Sequence, residues 1–264
     1  MRRGQAQAQR HSHSHRQEQE QGQGITIKIC GLTRLSDALA ARELGASMLG
    51  FVFAESPRQV SAQQARAMAR ELPGDVLKIG VFVDEDPAVV LETIRFVGLD
   101  AVQLHGNESL DFLRRLKTEI PGLRVLKGIG VVSSRLPLEE GVNGCGKRFD
   151  DQWDGQSGSD KYDGFVLDSV SRREAGVPRT PLDVEALASG APLPRPLFIA
   201  GGLNAGNVIR AIRLLRPDGV DVSSSVETRP GEKDVELMRA FIEAVQVAQA
   251  PEDNIEESTK ENRS

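Results

Sequence analysis

A single thiol and a single carboxylate, each ending a short apolar run, are the residues of this chain best suited to move a proton. Cys30 closes ITIKIC and Asp168 closes GFVLD. A thiolate and a carboxyl group on opposite sides of one small substrate make a general base and a general acid. Taken alone they read more plainly, since a strand-end cysteine is commonly a small buried hydrophobe and an aspartate after a strand commonly caps a turn. Lys28 lies two residues before Cys30, so on an extended strand it shares a face with the thiol and favours the thiolate. Asp221, in DGVDV, is placed to balance the Lys28 charge within about 4 Å if the two strands adjoin. Ser56-Pro57-Arg58 sets a guanidinium after a rigid turn, suited to two-point capture of a carboxylate, although an exposed solubilising arginine reads the same way. Gly201-Gly202 and Ser223-Ser224-Ser225 offer backbone N–H groups and hydroxyls that can converge on one anion, which predicts a phosphate, although ordinary turns use the same residues.

These groups act together only if the fold gathers them. Short β-branched runs at 25–29, 47–53, 76–82, 100–104, 123–127, 163–168, 196–200 and 218–222 alternate with helix-period stretches at 34–44, 61–71, 87–97, 108–118, 183–188, 204–215 and 234–248. Alternation of this kind is the pattern of βα units on a parallel sheet. Eight strands, each followed by a helix or its remnant, over residues 25–248 predict a single α/β domain, a (β/α)8 TIM barrel, whose usual size is roughly 250 residues. A doubly wound sheet is the alternative, but its first turn normally carries GxGxxG, and here it is Cys30-Gly31-Leu32-Thr33. In a barrel the chemistry gathers at the C-terminal ends of the strands, where Cys30, Asp168 and the two anion-binding segments fall, and phosphates sit after strands seven and eight.

The remaining segments narrow the function. Residues 1–24, rich in Gln, Arg, His and Ser, have almost nothing to bury and are expected to be disordered, as is the acidic tail at 249–264. The stretch at 141–162, with its glycines, Asp, Gln and Ser, reads as a flexible insertion carrying Cys145 as a bystander thiol. His11, His13 and His15 read as part of a polar low-complexity tail rather than a metal site. Two cysteines in 264 residues exclude a disulfide framework or a Cys-rich zinc site. The net charge of −5 argues against a nucleic-acid surface. Neither a membrane span nor an apolar leader is visible, so a cytoplasmic location is expected.

Seven motifs, in order and at suitable spacing, resemble one family: KICG (28–31), GFVFAESPRQVS (50–61), GVFVDE (80–85), QLHG (103–106), LDS (167–169), AGGLNAGNV (200–208) and DVSSSVETRPGEKD (221–234). They resemble the phosphoribosylanthranilate isomerases of tryptophan biosynthesis over about residues 25–246. The resemblance implies a (β/α)8 barrel and a cofactor-free Amadori rearrangement of N-(5-phosphoribosyl)anthranilate to 1-(2-carboxyphenylamino)-1-deoxyribulose 5-phosphate. It makes Cys30 the general base, Asp168 the general acid and Arg58 the holder of the anthranilate carboxylate. The expected partner is thus a small phosphorylated molecule, with no metal; oligomeric state is not fixed by the sequence. Two segments depart from the family pattern. The loop SRREAGVPRTPLDVEAL (171–187) lacks the usual Gly pair, Phe and Trp, and Ser225 stands where glycine is usual. A functioning cradle therefore requires φ < 0 at Ser225, since a positive value would strain it. These departures motivate the alternative of a weak paralogue that binds a phosphorylated metabolite without turning it over. An isomerase of the histidine pathway would instead need an acidic residue in place of Cys30.

Overall fold

A computed structural model describes residues 24–131, 161–169, 181–190 and 192–250. Eight parallel strands close into a barrel in chain order: β1 (Thr26–Cys30), β2 (Met48–Val52), β3 (Leu77–Phe82), β4 (Ala101–Leu104), β5 (Arg124–Val131), β6 (Gly164–Ser169), β7 (Leu197–Ile199) and β8 (Gly219–Val222). The ring shuts where β1 pairs with β8, Lys28 lying opposite Asp221. An open doubly wound sheet is thereby excluded.

Around the ring lie α1 (Leu35–Leu44), α2 (Ala62–Glu71), α3 (Pro87–Val97), α4 (Leu110–Glu119), α5 (Val184–Ser189), α6 (Val208–Leu215) and α7 (Val235–Gln249). Their starts follow from local chemistry. Ser61, Asp86, Ser109, Asp183 and Asp234 each accept a backbone N–H of the first turn, satisfying donors that have no partner within the helix. At Ser61 the arrangement is reciprocal, because the Ser61 N–H donates in turn to Gln64 Oε1. The buried faces of these helices pack on the outside of the barrel with Ile29, Leu49, Phe51, Val125 and Leu167 in one large apolar core. A second, smaller cluster of Leu126, Val166, Phe198 and Ala200, with Met48 against it, stands apart from that core.

The structure departs from the sequence expectations in three places. β5 runs on to Val131, because Gly128–Val131 stay in register with Val166–Ser169 of β6. Helix α6 starts at Val208, not 204, because Asn204 and Asn207 form a turn in which their side chains accept the Gly206 and Asn204 N–H groups. Residues Glu227–Arg229 and Glu232–Lys233 form a small antiparallel hairpin, β9 and β10. Tyr162, expected to end the insertion, is buried edge-to-face against Phe165 with ring centroids 6.1 Å apart. Residues 141–160 of that insertion, with Cys145, the two tails apart from Gly24, Gln249 and Ala250, and residues 171–180 lie outside the described residues. No helix among the described residues is long and apolar enough to cross a membrane.

Candidate active site

Strand alternation turns Lys28 and Cys30 to the same side of β1, with Ile29 facing the apolar core. The Lys28 ammonium is fully buried and donates to Asp221 Oδ2 at 2.5 Å and to Gln103 Oε1 at 2.9 Å. Burial opposes its charge, but Asp221 and then Cys30 outweigh that and hold its pKa above the ordinary lysine value. The Cys30 thiol, next along the strand, is buried beside Gly50 of β2; a Cβ at Gly50 would lie 2.7 Å from the sulfur, so only glycine leaves room for it. Burial raises the thiol above its usual pKa although Lys28 pulls it down. The expected push of Lys28 toward the thiolate is therefore present but is the lesser effect. Asp221→Ala is expected to lower unfolding stability by about 3–5 kcal/mol, the cost of leaving a buried charge unpaired. Urea midpoints check this, and a Lys28→Met/Asp221→Leu double variant should regain most of the loss.

Across the barrel, Asp168 lies one residue before the end of β6, half-buried and in register with Gly130. His105 Nε2 is 3.8 Å from Asp168 Oδ2, and its Nδ1 is 3.0 Å from the Gln103 amide nitrogen. Burial lowers the His105 pKa, with Asp168 opposing, so the imidazole is neutral near pH 7. With Gln103 donating to Nδ1, the remaining ring proton is on Nε2, toward Asp168. Lys28, Gln103, His105 and Asp168 thus form a polar chain across the mouth. The turn carrying His105 is braced from behind by the buried Lys127–Glu108 pair at 2.8 Å, whose carboxylate also accepts the Gly106 N–H.

The two segments expected to bind an anion face the same cleft, which is lined by Cys30, His105, Asp168, Arg58, Gly201–Leu203 and Ser223–Ser225. Gly201 and Gly202 both have φ +79°, a conformation an L side chain resists. At Gly201 a Cβ would also meet the Ser169 N at 2.3 Å. Ser224–Val226 form one 3₁₀ turn, and the Ser225 hydroxyl donates to the Leu203 carbonyl, tying the two loops together. Ser225 is not among the residues with positive φ, so its replacement of glycine carries no backbone strain. Arg58 is not free: its Nε and Nη2 grip both oxygens of Glu227 at 2.7–3.1 Å. The Glu227 bonds raise the guanidinium pKa further.

Every candidate residue read from the sequence, Lys28, Cys30, Arg58, Asp168, Gly201, Gly202, Asp221 and Ser223–Ser225, therefore lies in or directly behind this one cleft. Sequence pattern assigns no role to Gln103, His105, Glu227 or Lys233. For Gln103 and His105 a signal existed, since they stand two residues apart at the C-terminal end of β4 just as Lys28 and Cys30 do on β1.

Comparison with known proteins points one way. The family model described as N-(5'phosphoribosyl)anthranilate (PRA) isomerase matches residues 27–244. An N-(5'-phosphoribosyl)anthranilate isomerase of Pelobacter propionicus is 40% identical over 221 residues, 83% of this chain and 94% of that protein. The crystal structure of the Thermotoga maritima phosphoribosyl anthranilate isomerase superposes with a TM-score of 0.70 at 34% identity, covering 84% of this chain and 99% of that one. A crystal structure of phosphoribosyl anthranilate isomerase in complex with reduced 1-(o-carboxyphenylamino)-1-deoxyribulose 5-phosphate does so with a TM-score of 0.65 at 33% identity and the same coverage. With the match spanning the barrel from its first strand into its last helix, the chain belongs to the N-(5'-phosphoribosyl)anthranilate isomerase family.

Proposed function

We propose that this chain converts N-(5-phosphoribosyl)anthranilate to 1-(2-carboxyphenylamino)-1-deoxyribulose 5-phosphate, with Cys30 as base and Asp168 as acid. The observation that carries the reading is that a thiol on β1 and a carboxyl on β6 line one cleft together with Arg58 and the loops after β7 and β8. Asp168 protonates the ribose ring oxygen. The C1–O bond breaks as the anilinic nitrogen lone pair forms the C1=N bond, leaving a protonated Schiff base. The Cys30 thiolate then takes the C2 proton, and the released pair forms C1=C2 while the C=N pair returns to nitrogen. The resulting enaminol loses its hydroxyl proton and gains one at C1, so the reaction is proton-neutral overall. Two groups suffice for these transfers.

The substrate's phosphate is assigned to the N–H groups and hydroxyls of Gly201, Gly202 and Ser223–Ser225, joined across the two loops by the Ser225–Leu203 hydrogen bond. Its carboxylate is assigned to Arg58. Arg58→Ala should consequently raise KM by about tenfold to a hundredfold, the range for a charged hydrogen-bonded anchor, and change kcat much less. Steady-state kinetics on the purified variant check this split. The activity is tested by growth: expression should rescue a tryptophan auxotroph lacking the isomerase, and failure of well-expressed protein to do so would favour the binding-only alternative.

A further inference from the structure

The hairpin after β8 contributes two buried ionic side chains, Glu227 and Lys233, to which the reaction scheme gives no part. Glu227, at 3% side-chain exposure, gives both carboxylate oxygens to Arg58, and its Oε1 also accepts from Lys233 Nζ at 2.8 Å and from the Gly231 N–H at 3.3 Å. Lys233 in turn donates to the Ser223 carbonyl at 3.0 Å and is itself buried. One carboxylate therefore connects the guanidinium at the cleft rim to the backbone of the 223–225 turn. Gly31 completes the joint: with φ +76°, it has room for no side chain, because a Cβ there would lie 2.5 Å from Arg58 Cδ and 3.0 Å from Ser223 Oγ. Both ends of the connection line the cleft.

We propose that Glu227 is a positioning residue that sets where Arg58 stands relative to the 223–225 turn, and so matches the enzyme to substrates whose carboxylate and phosphate lie a set distance apart. The inference rests on the assignment of Arg58 and the turn as carboxylate and phosphate subsites. Charge arithmetic separates this role from simple neutralisation. Arg58 and Lys233 carry two positive charges against the one negative charge of Glu227, so the cluster keeps a net positive charge for an incoming anion. Arg58 and Lys233 hold Glu227 ionised, below the usual carboxylate pKa, although burial works against them. A carboxylate that only neutralised Arg58 would weaken anion binding, and its removal would strengthen it. A carboxylate that aims the guanidinium does the reverse, because an unanchored arginine must be ordered again at each binding event.

The test uses Glu227→Gln, Glu227→Asp and Arg58→Ala in the full chain, read by steady-state kinetics and by competitive inhibition with anthranilate and with inorganic phosphate. Glu227→Gln should raise KM and weaken anthranilate inhibition by about tenfold, the effect of one lost charged hydrogen-bonded anchor, with kcat and phosphate inhibition within about threefold. Glu227→Asp keeps the charge but draws the carboxylate back by one methylene, and should show a smaller loss of the same kind. In the Arg58→Ala background, Glu227→Gln should add nothing further to anthranilate inhibition, as expected for residues acting through one contact. Thermal melts follow folding, and the Asp variant carries the test if the Gln variant is unstable. Unchanged or tighter anthranilate inhibition in the Glu227 variants, with Arg58→Ala still weakened, overturns this inference and leaves the subsites standing. Unchanged inhibition in Arg58→Ala itself removes the carboxylate subsite and the inference together.

Discussion

Cys30→Ala is expected to cut turnover by about 10²- to 10⁴-fold, the usual contribution of a general base, with KM changed little. Truncating a small buried side chain at a strand end should leave the barrel intact. Cys30→Ser keeps nearly the same size but should be almost as impaired, because a serine hydroxyl ionises far above neutral pH and supplies little base. The thiol should also set the pH dependence. Burial holds its pKa above the ordinary value, and Lys28 only partly offsets this. The active thiolate is then the minor form at neutral pH, so kcat/KM should climb as pH rises through the ordinary thiol range and flatten only above it. In the direction of falling pH the base is lost first. A profile flat across that range, or a Cys30→Ala variant retaining most of the wild-type rate, would require another base.

Asp168→Asn is expected to produce a fall of similar size, about 10²- to 10⁴-fold in kcat, because an amide cannot deliver the proton that opens the ribose ring. His105 does not stand in for it. Its imidazole is 3.8 Å from the carboxylate, but burial keeps it below the usual histidine pKa and hence neutral near pH 7. The loss should appear in kcat with substrate affinity preserved, since the groups assigned to the phosphate and carboxylate are untouched. A raised KM with kcat near wild type would instead move Asp168 from proton transfer to binding.

The features that could be read from the sequence are those written in local pattern. The eight strands follow from short β-branched runs, and helix starts such as Ser61 and Asp183 follow from side chains that cap the first turn. The pairing of Lys28 with Asp221 follows from alternation together with closure of the ring. Contacts formed between distant stretches with no local signature stayed hidden. Gln103 meets Lys28 across 75 residues of sequence, and Arg58 meets Glu227 across 169. The segment ETRPGEK has no apolar alternation, so nothing in it announced the β9–β10 hairpin. Gly128 and Gly130 resemble the start of a loop, yet pairing with β6 keeps both in strand. The direction of the Cys30 pKa shift also depended on burial, which strand pattern does not measure.

Isomerase activity is tested most directly by incubating the purified chain, with no added metal or cofactor, with freshly made N-(5-phosphoribosyl)anthranilate and following formation of 1-(2-carboxyphenylamino)-1-deoxyribulose 5-phosphate. Catalysed formation at a rate that collapses in both Cys30→Ala and Asp168→Asn is the expected result. Product formation no faster than in protein-free solution, by folded protein that still binds the substrate, would contradict it and establish a binding protein in place of an isomerase.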